Sequence, residues 1–299
     1  MPALLRAMRP QQWVKNVFVL AALFFYWGET KDPLGHPDVL WSTLYALLAF
    51  CLGSSSIYLI NDVMDVESDR QHPTKCKRPI AAGEIAIPTA IGASVVCILA
   101  ALVFAWIARP SDFSVVYVVA GYITLNFFYS LKLKHIVLID AFCIAGGFLL
   151  RVLGGGYAAG TPVSKWLMLC TIFLALFLAL CKRHAEISLL GEGRGSHRKI
   201  LMEYTPAMLD QFVTVLAACA IFCYAMYTVS PDTTKKFNLE GEPLVWTVPF
   251  VVFGLFRYML LVQTQKGGGS PTRVLLGGDG PFVLNGVAWL GTVALILFS

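Results

Sequence analysis

Residues 39–70 read VLWSTLYALLAFCLGSSSIYLINDVMDVESDR, and this stretch decides the fold. From Val39 to Ile60 no residue carries a charge. A helix rising about 1.5 Å per residue crosses the ~30 Å of a bilayer's hydrocarbon in such a run. Asp62, Asp65 and Asp69 follow at once, so an apolar span ends in a dense acidic patch. Further apolar runs lie at about 10–27, 86–107, 114–129, 136–157, 165–181, 210–229, 244–263 and 281–298. Together they predict an all-α membrane protein of nine transmembrane helices, in one polytopic domain spanning 1–299. The chain is 57% hydrophobic and 14% charged, with a mean hydropathy of +0.69. Soluble domains run about 45–50% apolar and about 25% charged. A secreted disulfide scaffold, a disordered tail and an ordinary cytosolic enzyme are thereby excluded, and no strand alternation of outer-membrane type is present. The run at 10–27 is the weakest, because Pro10 to Lys15 is polar; it lacks the cleavage site of a signal peptide. The eight cysteines form no CxxC pair and read as buried thiols acting as small hydrophobes.

The basic residues set the orientation. One set of loops carries Arg6, Arg9 and Lys15, then Arg70, Lys75, Lys77 and Arg78, then Lys132 and Lys134. It continues with Lys182, Arg183, Arg194, Arg198 and Lys199, and ends with Lys266 and Arg273. The alternating set holds only Lys31, Arg109, Lys165, Lys235 and Lys236. The positive-inside rule places the N-terminus and the loops 61–85, 130–136, 182–209 and 264–280 in the cytoplasm. The predicted location is the cell inner (plasma) membrane, with the working surface facing the cytoplasm.

Asp62, Asp65 and Asp69 stand at i, i+3 and i+7. On a continuous helix they fall within about 60° of one another, so three like charges share a face. A divalent cation would neutralise them, and Mg²⁺ suits best because it takes one or two carboxylates and leaves the rest to phosphate and water. A solvated acidic helix end is the other reading of the same spacing. Just beyond, Lys75, Lys77 and Arg78 form a cation cluster suited to a polyphosphate, or to lipid headgroups.

Three further groups face the same side. Tyr129 to His135 includes Lys132 and Lys134, then leads to Asp140 and, eleven residues on, Arg151. Ionisable residues inside a membrane are costly and point to function, or to an internal pair holding helices together. Lys182, Arg183 and Glu186 end the sixth run, with Lys182 and Glu186 at i, i+4. Arg9, Gln12, Trp13, Lys15 and Asn16 open the first run; Arg9 and Trp13 are equally read as interface anchors. The histidines lack HxxxH or HExxH spacing, which argues against zinc, and no Walker loop, GxGxxG or serine elbow is present. Gly154–Gly156 reads as close helix packing and Gly267–Gly269 as a flexible loop.

The pattern Asn61-Asp62-x-x-Asp65-x-x-x-Asp69-Arg70, followed by Lys75-x-Lys77-Arg78-Pro79-x-x-x-Gly83, resembles the UbiA superfamily of intramembrane prenyltransferases over essentially the whole chain. Members bind a diphosphate through Mg²⁺ held by two aspartate-rich motifs. The second motif departs from that pattern, with a lone Asp140 after Lys134-His135. With Arg9-Pro-x-Gln-Trp13-Val-Lys15-Asn16, His72-Pro-Thr-Lys75, Lys182-Arg183-His-Ala-Glu186 and Arg198-Lys199 followed by Glu203-Tyr204-Thr205, this is similar to the decaprenyl-phosphate phosphoribosyltransferase branch.

That resemblance implies transfer of 5-phosphoribose from phosphoribosyl diphosphate to a polyprenyl phosphate, with Mg²⁺ as cofactor, toward a lipid-linked arabinofuranose precursor for the cell wall. It implies Asp62, Asp65 and Asp69 as metal ligands, and Asp62, Asp65 and Asp140 as catalytic residues. Substrate contacts are expected from Lys15, Tyr58, Asn61, Arg70, Lys75, Lys77, Arg78, Tyr129, Lys134, Arg151, Lys182, Arg183 and Glu186. Asn61 and Asp140 would orient ribose or a second metal contact, and Lys134 and Arg151 the lipid phosphate. Membrane lipids are expected partners and nucleic acid is not; Gly- and Ala-rich helix faces suit a homo-oligomer as well as a monomer. The alternative within the superfamily is an aromatic prenyltransferase making a quinone or haem side chain. A transporter, the reading from another class, would also place charged groups at the midplane and far side.

Overall fold

The computed structural model describes residues 2–32, 35–190, 203–264 and 279–298, the side chains of 188–190 excepted. Arg194, Arg198, Lys199, Lys266, Arg273 and Gly267–Gly269 lie outside the described residues, as does much of the predicted loops 182–209 and 264–280.

The described residues are helical throughout, with no strand. The order is α1 (Ala3–Met8), a 3-10 stretch (Pro10–Leu20) running into α2 (Ala21–Thr30), α3 (Pro37–Met64), α4 (Val66–Arg70), α5 (Ile87–Ala108) and α6 (Ser114–Leu131). Then come α7 (Ile139–Ala159), α8 (Lys165–Leu190), α9 (Pro206–Val229), α10 (Pro231–Lys236), α11 (Val248–Gln263) and α12 (Gly280–Phe298). Proline opens α3, α5, α9 and α11, where its missing amide costs nothing and its fixed φ fits the first turn. Among the described residues, eight helices are long and apolar enough to cross a membrane: α3, α5, α6, α7, α8, α9, α11 with its 3-10 lead-in, and α12. The predicted first span, 10–27, is instead the 3-10 stretch continued by the short α2.

Two expected boundaries move. Helix α3 runs on to Met64, so the loop expected from residue 61 begins later, and α8 runs on to Leu190. Helix α3 also stops at Asp65 (φ −92°, ψ 6°) before α4 begins. The single helix on which three aspartates would share a face is therefore broken at the middle one.

The chain divides into two compact units. The first comprises Met1–Phe24, Leu34–Leu133 and Leu150–Pro162; the second comprises Phe25–Pro33, Lys134–Leu149 and Val163–Ser299. In the first, α5 turns a stripe of small residues inward (Ala90, Ser94, Cys97, Ala101, Ala105, Ala108), all buried, and packs closely on α3. Small residues let helix backbones approach where lipid tails offer no hydrophobic drive to associate. The opposite face of α5 exposes Val95, Val96, Leu99, Val103 and Trp106, as a lipid-facing surface requires. Gly154 and Gly155 on α7 serve the same end. A Cβ on Gly154 would lie 2.5 Å from the Phe50 ring, and one on Gly155 would lie 2.1 Å from the Val19 carbonyl oxygen. In the second unit, α8, α9 and α11 enclose a core around Phe177, Leu180, Leu209 and Tyr258. All eight cysteines are free thiols, five of them buried.

Candidate active site

In the first unit the acidic end of α3 meets the loop that follows α4. Asp62 and Asp69 are both buried. Arg78 bridges them, its Nη1 lying 3.2 Å from Asp62 Oδ1 and 2.6 Å from Asp69 Oδ2. Lys75 Nζ is 3.9 Å from Asp69 Oδ1. The loop can fold back this way because Ile80 buries itself beside Leu59, Val66 and Ile85, and because Gly83 supplies a left-handed turn at φ +78°.

Arg9 arrives from the junction between α1 and the 3-10 stretch, itself left-handed at φ 54°. Its Nη2 lies 2.5 Å from Asp62 Oδ1, and its guanidinium sits 5.0 Å from the centre of the Tyr58 ring. Both guanidinium contacts fall on the same oxygen. Asp62 Oδ2 is buried with no hydrogen-bond partner among the described residues. A buried carboxylate oxygen left unmatched costs about 1–3 kcal/mol, so this one is suited to receive a cation.

That orphaned oxygen is the test of whether the residues fit a metal. Mg²⁺ needs only one or two protein carboxylates and completes its shell with phosphate and water, which Asp62 and Asp69 can satisfy. Among the described residues no three His, Cys, Asp or Glu side chains converge as ligands. A three-aspartate set including Asp65 is therefore not preassembled.

The same unit holds a second polar cluster. Arg151 on α7 is buried; its Nε donates to Asn16 Oδ1 at 2.7 Å and its Nη2 to the Tyr122 hydroxyl at 2.8 Å. The guanidinium also stacks 4.6 Å from the centre of the Tyr122 ring. Asn16 in turn donates to Ser54 Oγ at 3.3 Å, and Trp13 Nε1 to Ser55 Oγ at 3.0 Å. The polar opening of the predicted first span thus turns inward onto Ser54 and Ser55. Arg9 and Trp13 bind inside the unit, which decides against reading them as interface anchors alone.

The second unit carries its own cluster, at the start of α7. Asp140 is fully buried, and Arg183 Nε on α8 lies 3.1 Å from its Oδ2. The N–H is not aimed along that line, so the contact is an ion pair without an aligned hydrogen bond. Arg183 also pairs with Glu186, and Lys182 Nζ lies 3.9 Å from Glu186 Oε1. Tyr204, just before α9, is buried. Burial pushes its phenol above the ordinary value, so it keeps its proton. Its hydroxyl accepts from the Leu138 amide at 2.8 Å and reaches Asp140 Oδ1 at 3.5 Å. Asp140 belongs to the second unit and Arg151 to the first.

The structure therefore brings together Asp62, Asp69, Arg78, Lys75 and Tyr58, and separately Asp140, Arg183, Glu186 and Lys182. Among the described residues of the first unit, it pairs neither Arg70 nor Lys77 with Asp62 or Asp69. Arg70 binds Glu67 and the Ala81 carbonyl, and Lys77 is exposed. Lys15, Asn61, Tyr129 and Lys134 are half-buried on their elements, and the Asn61 carbonyl accepts the Asp65 amide at 2.9 Å. Sequence reasoning missed Tyr122, which sits in an apolar run and gives no signal apart from ordinary aromatic packing. It undervalued Arg9, Asn16 and Tyr204, whose signal was a polar residue beside a span.

The UbiA prenyltransferase family model matches residues 16–276. The decaprenyl-phosphate phosphoribosyltransferase of Mycolicibacterium smegmatis is 36% identical over 304 residues, covering 99% of this chain and 93% of the relative. That of Corynebacterium glutamicum is 35% identical over 298 residues, covering 99% and 86%. Among solved structures, a UbiA homolog from Archaeoglobus fulgidus bound to GPP and Mg²⁺ superposes with a TM-score of 0.73 at 17% identity, covering 99% of both chains, a likeness of fold. With the family matched along most of its length and the fold shared end to end, the chain belongs to the UbiA prenyltransferase family.

Proposed function

We propose that this protein transfers 5-phosphoribose from phosphoribosyl diphosphate to a polyprenyl phosphate, releasing pyrophosphate. The observation that carries the reading is near full-length similarity to enzymes of that name, joined to an acidic pair ringed by three cations. Asp62 and Asp69 would hold Mg²⁺ together with the donor's diphosphate, and Asp65 would complete the set on substrate binding. The metal supplies charge neutralisation for the departing pyrophosphate.

Every other step falls to the chain's own residues. Lys75 and Arg78 bind the diphosphate, and Arg9, freed from Asp62, adds a third cation as charge builds on the leaving group. The C1–O bond of ribose breaks as pyrophosphate leaves, C1 gains oxocarbenium character, and an oxygen of the lipid phosphate forms the new bond. That acceptor is already anionic, so no general base is needed. Asn61 orients the ribose, and Asp140, sealed in its pair with Arg183, contributes by fixing the residues around it. Arg151, fixed by Asn16 and Tyr122, and Lys134 hold the lipid phosphate. Lys182 adds charge, while Arg183 and Glu186 act through Asp140.

In this reading the chain is one polytopic domain with nine spans, the Pro10–Thr30 segment being the ninth. Its N-terminus and its site face the cytoplasm from the inner membrane. The product would feed arabinofuranose donors for the cell wall.

The test is transfer of radiolabel from phosphoribosyl diphosphate into the organic phase, with detergent-purified protein, polyprenyl phosphate and Mg²⁺. Label that appears with wild type and vanishes with Asp62→Asn or with EDTA supports the reading. Prenyl transfer from a prenyl diphosphate to an aromatic acid, without phosphoribosyl transfer, overturns it.

A further inference from the structure

Leu138, in the turn that opens α7, has φ 65°. Leucine enters this left-handed region only at a cost, because its Cβ crowds the following carbonyl. Packing does not account for it, since the side chain is 37% exposed. Within the chain the Asp140 amide closes the turn onto the Ile136 carbonyl at 3.2 Å, and the side-chain contact that anchors it is the Leu138 amide donating to the buried Tyr204 hydroxyl at 2.8 Å. The chain then doubles back, the Ile139 amide donating to the Val137 carbonyl at 2.8 Å. Two residues past Leu138, Asp140 stands fully buried, with the same hydroxyl 3.5 Å from Oδ1 and Arg183 Nε 3.1 Å from Oδ2. A strained residue persists where its surroundings over-determine it, and here the strain sits beside a buried carboxylate.

We propose that Tyr204 is a positioning residue: its hydroxyl clamps the left-handed Leu138 turn and so sets where Asp140, and the Arg183 paired with it, stand for phosphoribosyl transfer. The inference rests on the reading of Asp140 as part of that chemistry. One oxygen serves both ends of the turn, accepting from the backbone and donating toward the carboxylate. Phenylalanine keeps the ring and removes both contacts.

The experiment uses the full chain as wild type, Tyr204→Phe, Leu138→Gly and the double variant. It measures kcat and KM for both substrates, and amide hydrogen exchange over residues 137–140. Tyr204→Phe is expected to lower kcat about tenfold while each KM stays within about twofold. Exchange at 137–140 quickens. Adding Leu138→Gly restores most of kcat, because glycine adopts a positive φ without needing the anchor. Unchanged kcat and exchange in Tyr204→Phe overturn the proposal. So does a loss that Leu138→Gly fails to recover in a protein that still folds, since that assigns Tyr204 to packing. If wild type transfers no phosphoribose, the proposed function fails by itself; quickened exchange still upholds the clamp and unchanged exchange removes it.

Discussion

The cations around Asp62 and Asp69 differ sharply in exposure from the one beside Asp140. Arg78, Arg9 and Lys75 have side chains 25%, 21% and 39% exposed, whereas Arg183 is 2% exposed. Both clusters pair aspartate with arginine, yet their chemistry diverges. A partly exposed cation can turn from a carboxylate to an incoming phosphate with little loss of its own hydration, provided a bound divalent cation then neutralises the buried Asp62 and Asp69. A sealed ion pair cannot, because releasing one partner leaves the other charged in a low-dielectric interior. The first cluster is therefore built to bind and release, and the second to hold position.

The sharpest way to break this comparison is to remove one charge from each cluster. Asp62→Asn keeps the shape of the first and removes its metal-seeking charge. Phosphoribosyl transfer should fall about 10³-fold, the scale of losing a major electrostatic contributor, with Tm little changed. Arg183→Met does the opposite. It strands Asp140 and Glu186, which should cost about 3–5 kcal/mol of stability and lower Tm visibly in detergent. Should Arg183→Met leave Tm intact and abolish transfer, the second cluster would be a binding site too, and the distinction would fall.

Much of this was legible in the sequence, for physical reasons. Runs of uncharged residues can do little except span a membrane, so α3, α5 to α9, α11 and α12 lie close to where they were expected. Asp62 and Asp69 were legible because a like-charge pair at a span's end demands compensation. What spacing could not supply was the break at Asp65, which depends on where the helix stops, nor which basic residue closes the pair. Arg78 and Arg70 look alike in the sequence, yet Arg70 turns to Glu67 on its own helix face. Tyr122 was illegible because a hydroxyl in an apolar run shows its role only once Arg151 lies beside it.

A subtler perturbation reaches the first unit through its backbone. Gly155→Ala puts a Cβ against the Val19 carbonyl at 2.1 Å, a contact that backbone, unlike a flexible side-chain end, cannot absorb cheaply. The 3-10 stretch must shift, and with it Asn16, the acceptor of Arg151 Nε. Overpacking of this kind should cost about 1–3 kcal/mol. The KM for polyprenyl phosphate is expected to rise while that for phosphoribosyl diphosphate holds. Equal changes in both would detach Arg151 from the lipid phosphate.

The smallest expected effect tests the loop whose two lysines the sequence treats alike. Lys75 Nζ lies 3.9 Å from Asp69 Oδ1, while Lys77 is exposed. An exposed charge is screened within about 8–10 Å at ordinary salt, so removing one should matter little. Lys75→Ala should raise the KM for phosphoribosyl diphosphate about fivefold, and Lys77→Ala by less than about twofold at 0.15 M salt. Repeating both at low ionic strength decides what kind of site this is. If Lys77→Ala then costs as much as Lys75→Ala, the loop attracts the diphosphate as a diffuse field, and the geometry around Asp69 matters less than its total charge. If the difference survives, the phosphate is held at a place, and Lys75 marks it.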